Sequence, residues 1–149
     1  MRMSTNGLRL LKEWEGCRLQ KYRDAGGKWT IGVGHLLTKE ELMGGKYDDG
    51  ITELEAMTLL AADLRPAEGA VNSAVTVDLR QHEFDALVSF TFNVGAGAFR
   101  KSTLLRKLNN GKYEDVPAEL RKWVRAGGKR YHGLAVRREK EIALWKGDL

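Results

Sequence analysis

At 149 residues with 42% hydrophobic content, the chain is long enough for one compact domain that buries most of the surface its unfolded form exposes. It carries 25 Lys and Arg against 20 Asp and Glu, a net charge of +5 that favours polyanions such as nucleic acid, anionic glycan or a membrane surface without choosing among them. The single cysteine, Cys17, excludes an internal disulfide and so any need for an oxidising compartment, and no Cys-His arrangement beside it points to a thiol nucleophile.

The chain starts Met-Arg-Met-Ser-Thr-Asn-Gly and then mixes Leu with Arg, Lys and Glu, so it has no apolar run of the kind a signal peptide requires. No segment reaches the length of a membrane span, and membrane insertion is not expected. Ser4, Thr5 and Asn6 offer capping oxygens ahead of Leu8, Leu11 and Trp14, an apolar set at helical spacing that stops at Gly16; a first helix is predicted to end beside Glu15. Beyond it, Gly26-Gly27 marks a turn and Trp29-Thr30-Ile31-Gly32-Val33 is rich in β-branched and aromatic residues, which predicts a small hairpin or three-stranded sheet. This is the only convincing β-structure in the sequence.

Residues 42–50 read as loop. Thr52 and Glu55 then stand at capping-box spacing before a stripe of Ala56, Leu59, Leu60 and Leu64 that resumes at Val71, Ala74 and Val75, predicting one long helix bent at Pro66. Further helices are expected at about 80–93, 102–109, 113–125 and 134–146, punctuated by glycines. The order predicts an α+β architecture: a small antiparallel β lobe at about 14–50, a connecting helix at about 52–76, and a helical lobe at about 78–149 that includes the first helix. A cleft is expected between the lobes, and clefts at such junctions are preferred ligand sites.

Hydrolysis of a glycosidic bond needs an acid for the departing oxygen and a second polar group to position water or to stabilise the developing charge. Glu15 at the helix end and Asp24 before the Gly26-Gly27 turn are placed to flank an opening, and Thr30 beyond the turn adds a hydroxyl able to orient a water. As acids near a turn these are ordinary among twenty acidic side chains; their spacing is not. Glutamate, eight residues, aspartate, five residues, threonine, then Thr30-Ile-Gly-Val-Gly-His35, resembles the signature of phage-type lysozymes, or endolysins. The resemblance continues through Phe92-Asn93-Val94-Gly95, Ser102-Thr103-Leu104-Leu105 and Gly133-Leu134 with Arg137, Arg138 and Glu141, and so covers nearly the whole chain.

That resemblance implies a mostly helical, lysozyme-like fold and a muramidase that hydrolyses the β-1,4 bond between N-acetylmuramic acid and N-acetylglucosamine in peptidoglycan. It makes Glu15 the general acid, with Asp24 and Thr30 activating and holding the water. Partial burial of Glu15 is expected, since it penalises the charged form, while Asp24 stays solvated. Either Arg137 or Arg138 is implied to hydrogen-bond Glu15. His35 is implied to pair with Asp63 as structural support rather than to bind metal, and no cofactor is expected. Leu36, Phe92 and Ser102 are implied to contact sugar, and a cleft asparagine of some relatives falls at Pro117. The implied partner is the glycan strand, met by a monomer. Synthesis in the host cytoplasm, dependence on a separate holin and action on the periplasmic wall are implied by the same resemblance. Nucleic-acid binding lacks a supporting motif. A wall-binding module without catalysis is disfavoured by the presence of all three residues, and a lytic transglycosylase is the nearest enzymatic alternative.

Overall fold

The computed structural model describes residues 1–149, which divide into two compact units, one of residues 8–65 and one of residues 1–7 with 66–149. The first helix, α1 (Thr5–Glu15), therefore belongs from Leu8 onward to the sheet-containing unit, where the sequence grouped the helix with the helical lobe. Ser4 caps it by accepting the Gly7 amide at 3.0 Å, and Gly16, at φ 78°, closes its end with a bond to the Lys12 carbonyl of 2.9 Å.

In the sheet unit, β1 (Arg18–Arg23), β2 (Trp29–Gly32) and β3 (His35–Leu36) form an antiparallel sheet with β2 in the middle. Thr30 pairs with Tyr22 on one side and Leu36 on the other. Ile31 points into a small core with Tyr47, Ile51 and Ala56, against which Cys17, Leu37 and Leu59 pack. Cys17 is thus a packing residue.

Residues 42–50 are not all loop. A short helix, α2 (Lys39–Met43), is opened by a reciprocal cap in which Thr38 Oγ accepts the Glu41 amide and Glu41 accepts the Thr38 amide. The same device at Thr52 and Glu55 opens α3 (Glu53–Asp63). The expected long helix is two: α3 stops at Leu64 and α4 (Arg65–Ala74) follows. Pro66 has no amide to bond the Ala62 carbonyl, so the helical ladder lapses there and the chain breaks two residues ahead of the proline rather than bending at it.

The helical unit is organised around α5 (Gln81–Val94), in which every residue from Phe84 to Thr91 is buried. It packs along α9 (His132–Trp145). Two short helices, α6 (Ala96–Arg100) and α7 (Thr103–Asn109), and then α8 (Val116–Arg121) complete the unit, with Phe90 meeting Phe99 and Trp123 edge to face. The helix expected over 113–125 is a 3-10 turn, Tyr113–Asp115, followed by the shorter α8, which has Pro117 in its first turn. A second sheet escaped the sequence reading: β4 (Arg125–Ala126) and β5 (Lys129–Arg130) pair across Gly127 and Gly128, both at positive φ. The double glycine is the signal for such a two-residue hairpin turn. No helix is long and apolar enough to cross a membrane.

Candidate active site

Asp24 and Thr30 are bound to one residue, Lys28, from opposite sides. Asp24 Oδ1 accepts the amides of Gly26 at 2.9 Å and Lys28 at 2.8 Å, and the Asp24 amide donates to the Lys28 carbonyl at 2.8 Å. An aspartate that folds its own turn in this way fixes its carboxylate to the backbone. The β1–β2 connection is then a rigid frame for one oxygen, and Oδ2 is not used by it. Thr30 donates its hydroxyl to the Lys28 carbonyl at 3.0 Å and is buried in the central strand. With its proton committed, Thr30 Oγ1 presents lone pairs only, and a water bound there would have to donate.

Glu15 is the last residue of α1, and its side chain is exposed rather than partly buried. The helix stop at Gly16 and the start of β1 two residues later set where it stands relative to the sheet. A residue on a helix end can turn only as far as its own backbone allows, which limits the positions the carboxyl can sample.

His35 lies beside the turn on β3 and is held at both nitrogens: Nδ1 is 2.8 Å from Asp63 Oδ2, and Nε2 is 3.2 Å from Glu41 Oε1. Burial alone would pull the imidazole down, but the bonds to Asp63 and then Glu41, with their charges, outweigh it and raise its pKa. Glu41 moves the opposite way: burial opposes its charge, and the Thr38 amide together with His35 overcomes that and lowers it. The sequence reading had Asp63 but not Glu41. The Thr38-x-x-Glu41 spacing carried that information, because the cap orients Glu41 toward the strand.

The remaining residues lie as follows. Leu36 is half exposed on β3 in the sheet unit. Phe92, partly buried, lies on α5 in the helical unit. Ser102 is buried and caps α7, donating to the Phe99 carbonyl at 2.6 Å and accepting the Leu105 amide at 3.1 Å, so its hydroxyl has a structural task of its own. Arg137 and Arg138 converge on the buried Glu141: Arg138 Nη1 bonds Oε1 at 2.7 Å, and Arg137 Nε bonds Oε2 at 3.2 Å, beside Ser89 Oγ at 2.6 Å. Arg138, fully buried, also bonds Asn93. Burial pushes the Glu141 carboxyl up and the Arg138 guanidinium down, and the attraction between them opposes both. Asn93, Ser89 and the closure of this network were not foreseen, since they are brought together only by the packing of α5 on α9.

The phage lysozyme family model matches residues 12–141. An endolysin of Acyrthosiphon pisum secondary endosymbiont phage 1 is 41% identical, covering 98% of this chain and 99% of the relative. Among solved structures, the muramidase domain of SpmX from Asticaccaulis excentricus superposes with a TM-score of 0.82 at 36% identity, covering 97% of each chain. A P22 lysozyme mutant superposes with a TM-score of 0.84, also at 36% identity, covering 98% of this chain and 99% of that one. The α+β fold, the Glu15-Asp24-Thr30 spacing and these likenesses over almost the full length agree, and the chain belongs to the phage lysozyme family.

Proposed function

We propose that this protein is an endolysin that hydrolyses the β-1,4 bond between N-acetylmuramic acid and N-acetylglucosamine in bacterial peptidoglycan. Glu15 acts as the general acid on the departing oxygen. Asp24 Oδ2, the oxygen its turn leaves unused, receives a proton from water or stabilises the charge that develops on the sugar. Thr30 Oγ1 accepts a hydrogen bond from that water. The observation that carries the reading is the two-sided tie to Lys28, which makes Asp24 and Thr30 a single rigid unit in a chain of this family. Fixing the nucleophile's partners before the substrate arrives lowers the entropy cost of the chemical step.

Synthesis in the host cytoplasm, passage with the help of a separate holin and action on the wall as a monomer complete the proposal. The test is mass spectrometry of purified peptidoglycan after digestion. Reducing N-acetylmuramic acid ends are expected; anhydromuramic ends would make the protein a lytic transglycosylase instead. Turbidity clearing of permeabilised Gram-negative cells gives the second arm. Glu15→Gln is expected to fold and bind wall but clear nothing, and unchanged clearing would remove Glu15 from the role of acid.

A further inference from the structure

Between Arg121 and Arg138 the chain has seven Arg and Lys and not one Asp or Glu, a local charge larger than the net +5 of the whole molecule. Most of these cations are answered from outside the segment: Arg121 by Glu139, Lys122 by Glu119, and Arg137 and Arg138 by Glu141. Arg125, Lys129 and Arg130 are not. All three are exposed, within a run from Arg125 to Gly133 that is exposed throughout, and none is paired with a carboxylate. The register sharpens the point, because Arg125 stands directly across from Arg130 on the β4–β5 pair. Like charges directly opposite destabilise a sheet, and a two-stranded hairpin has little stability to spare. Nothing within the fold compensates the pair. Arg125 has only a 3.5 Å contact with the Gly128 carbonyl, and Lys129 sits over the Tyr131 ring at 5.6 Å.

We propose that the β4–β5 hairpin is a clasp for the free carboxylates of the peptide stems that the glycan strands carry. Two guanidinium groups across one ladder suit a carboxylate, which accepts paired N–H donors, and Lys129, paired with Ala126 on the other face of the ribbon, adds to the positive field of the hairpin. A pocket of about 350 Å³ lined by Val94, Trp123 and Leu134 opens next to Arg125 and Ala126, and offers the short apolar side chains of a stem an adjoining surface. The proposal rests on peptidoglycan being the ligand. It adds a stem requirement that sugar recognition alone does not make.

Co-sedimentation with purified sacculi, before and after carbodiimide-coupled amidation of the free stem carboxylates, tests it. The whole chain with R125Q/K129Q/R130Q is compared with the parent and with the charge-retaining R125K/K129R/R130K, each confirmed as folded by circular dichroism. The neutral variant is expected to bind untreated sacculi roughly tenfold more weakly, as loss of charge-assisted hydrogen bonds implies, and to match the parent on amidated sacculi. The charge-retaining variant keeps most of the affinity. Equal binding of the neutral variant and parent to untreated sacculi overturns the clasp, and so does an equal loss on amidated sacculi. Parent binding to phosphatidylglycerol vesicles or duplex DNA as tight as to sacculi overturns it too, in favour of a membrane or nucleic-acid surface. Reducing ends released by the parent are measured alongside; their absence with stem-dependent binding intact sinks the hydrolase reading alone.

Discussion

Asp24, Thr30 and His35 each owe their position to a bond with a specific neighbour, and that makes their contributions separable. Thr30→Val keeps the volume and β-preference of the strand but loses the hydroxyl that reaches the Lys28 carbonyl. Its turnover of purified peptidoglycan is expected to fall by about 10²-fold, the scale of a positioned general-catalysis contact, with thermal stability lowered by only about 1 kcal/mol. A loss of stability as large as the loss of activity would mark Thr30 as structural. His35 predicts a pH dependence. Its raised pKa means that the stabilisation by Asp63 and Glu41 is complete below the unfolded value of about 6.5 and is lost as pH rises through the folded value. The lowered pKa of Glu41 adds a contribution that is complete above its unfolded value and is lost as pH falls through the folded one. The urea midpoint should therefore decline as pH rises above about 6.5 and through the raised folded value, and His35→Asn should flatten that limb.

At the level of elements, the glycine that ends the 44–50 turn sets how α2 is joined to α3. Gly50 lies at φ 83°, and a Cβ there would come within 2.7 Å of the Leu19 carbonyl, the acceptor for the Ile51 amide. Gly50→Ala combines a strained backbone with a backbone clash, and about 2 kcal/mol or more of destabilisation is expected. Calorimetry would show it as a lower unfolding midpoint; an unchanged midpoint would mean that the turn relaxes freely. The same physics explains what the pattern concealed here. Residues 42–50 contain several glycines and acids and so resemble a loop, yet Thr38 and Glu41 cap one another and hold a short helix that runs into their first two residues. Short elements of this kind are set by single hydrogen bonds, which periodicity does not register.

Across the molecule, the α5–α9 pairing contains the ionic network with the largest consequence for stability. Glu141 is fully buried between Arg138 and Arg137, with Ser89 completing its bonds. Glu141→Ala leaves the fully buried Arg138 guanidinium without its carboxylate, and removal of one partner from a buried pair costs about 3–5 kcal/mol. Denaturant unfolding checks this, with a markedly lower midpoint and an unchanged slope as the expected result. If the midpoint scarcely moves, Asn93 and bulk solvent are supplying what Glu141 supplied.

The amino-acid sequence alone determined the family-defining spacing of Glu15, Asp24 and Thr30, the first helix, a small β-structure as either a hairpin or a three-stranded sheet, and the positions of most helices. These depend on neighbours close in the chain: capping oxygens, glycine turns and apolar periodicity. Tertiary structure decided the rest. The break at Leu64, the 3-10 turn ahead of α8, the second acid on His35 and the Glu141 network with Arg137 and Arg138 all arise where residues distant in sequence, or a missing proline amide, set the balance. Exposure of Glu15 belongs with them, because burial is a property of what packs around a side chain and no local pattern encodes it.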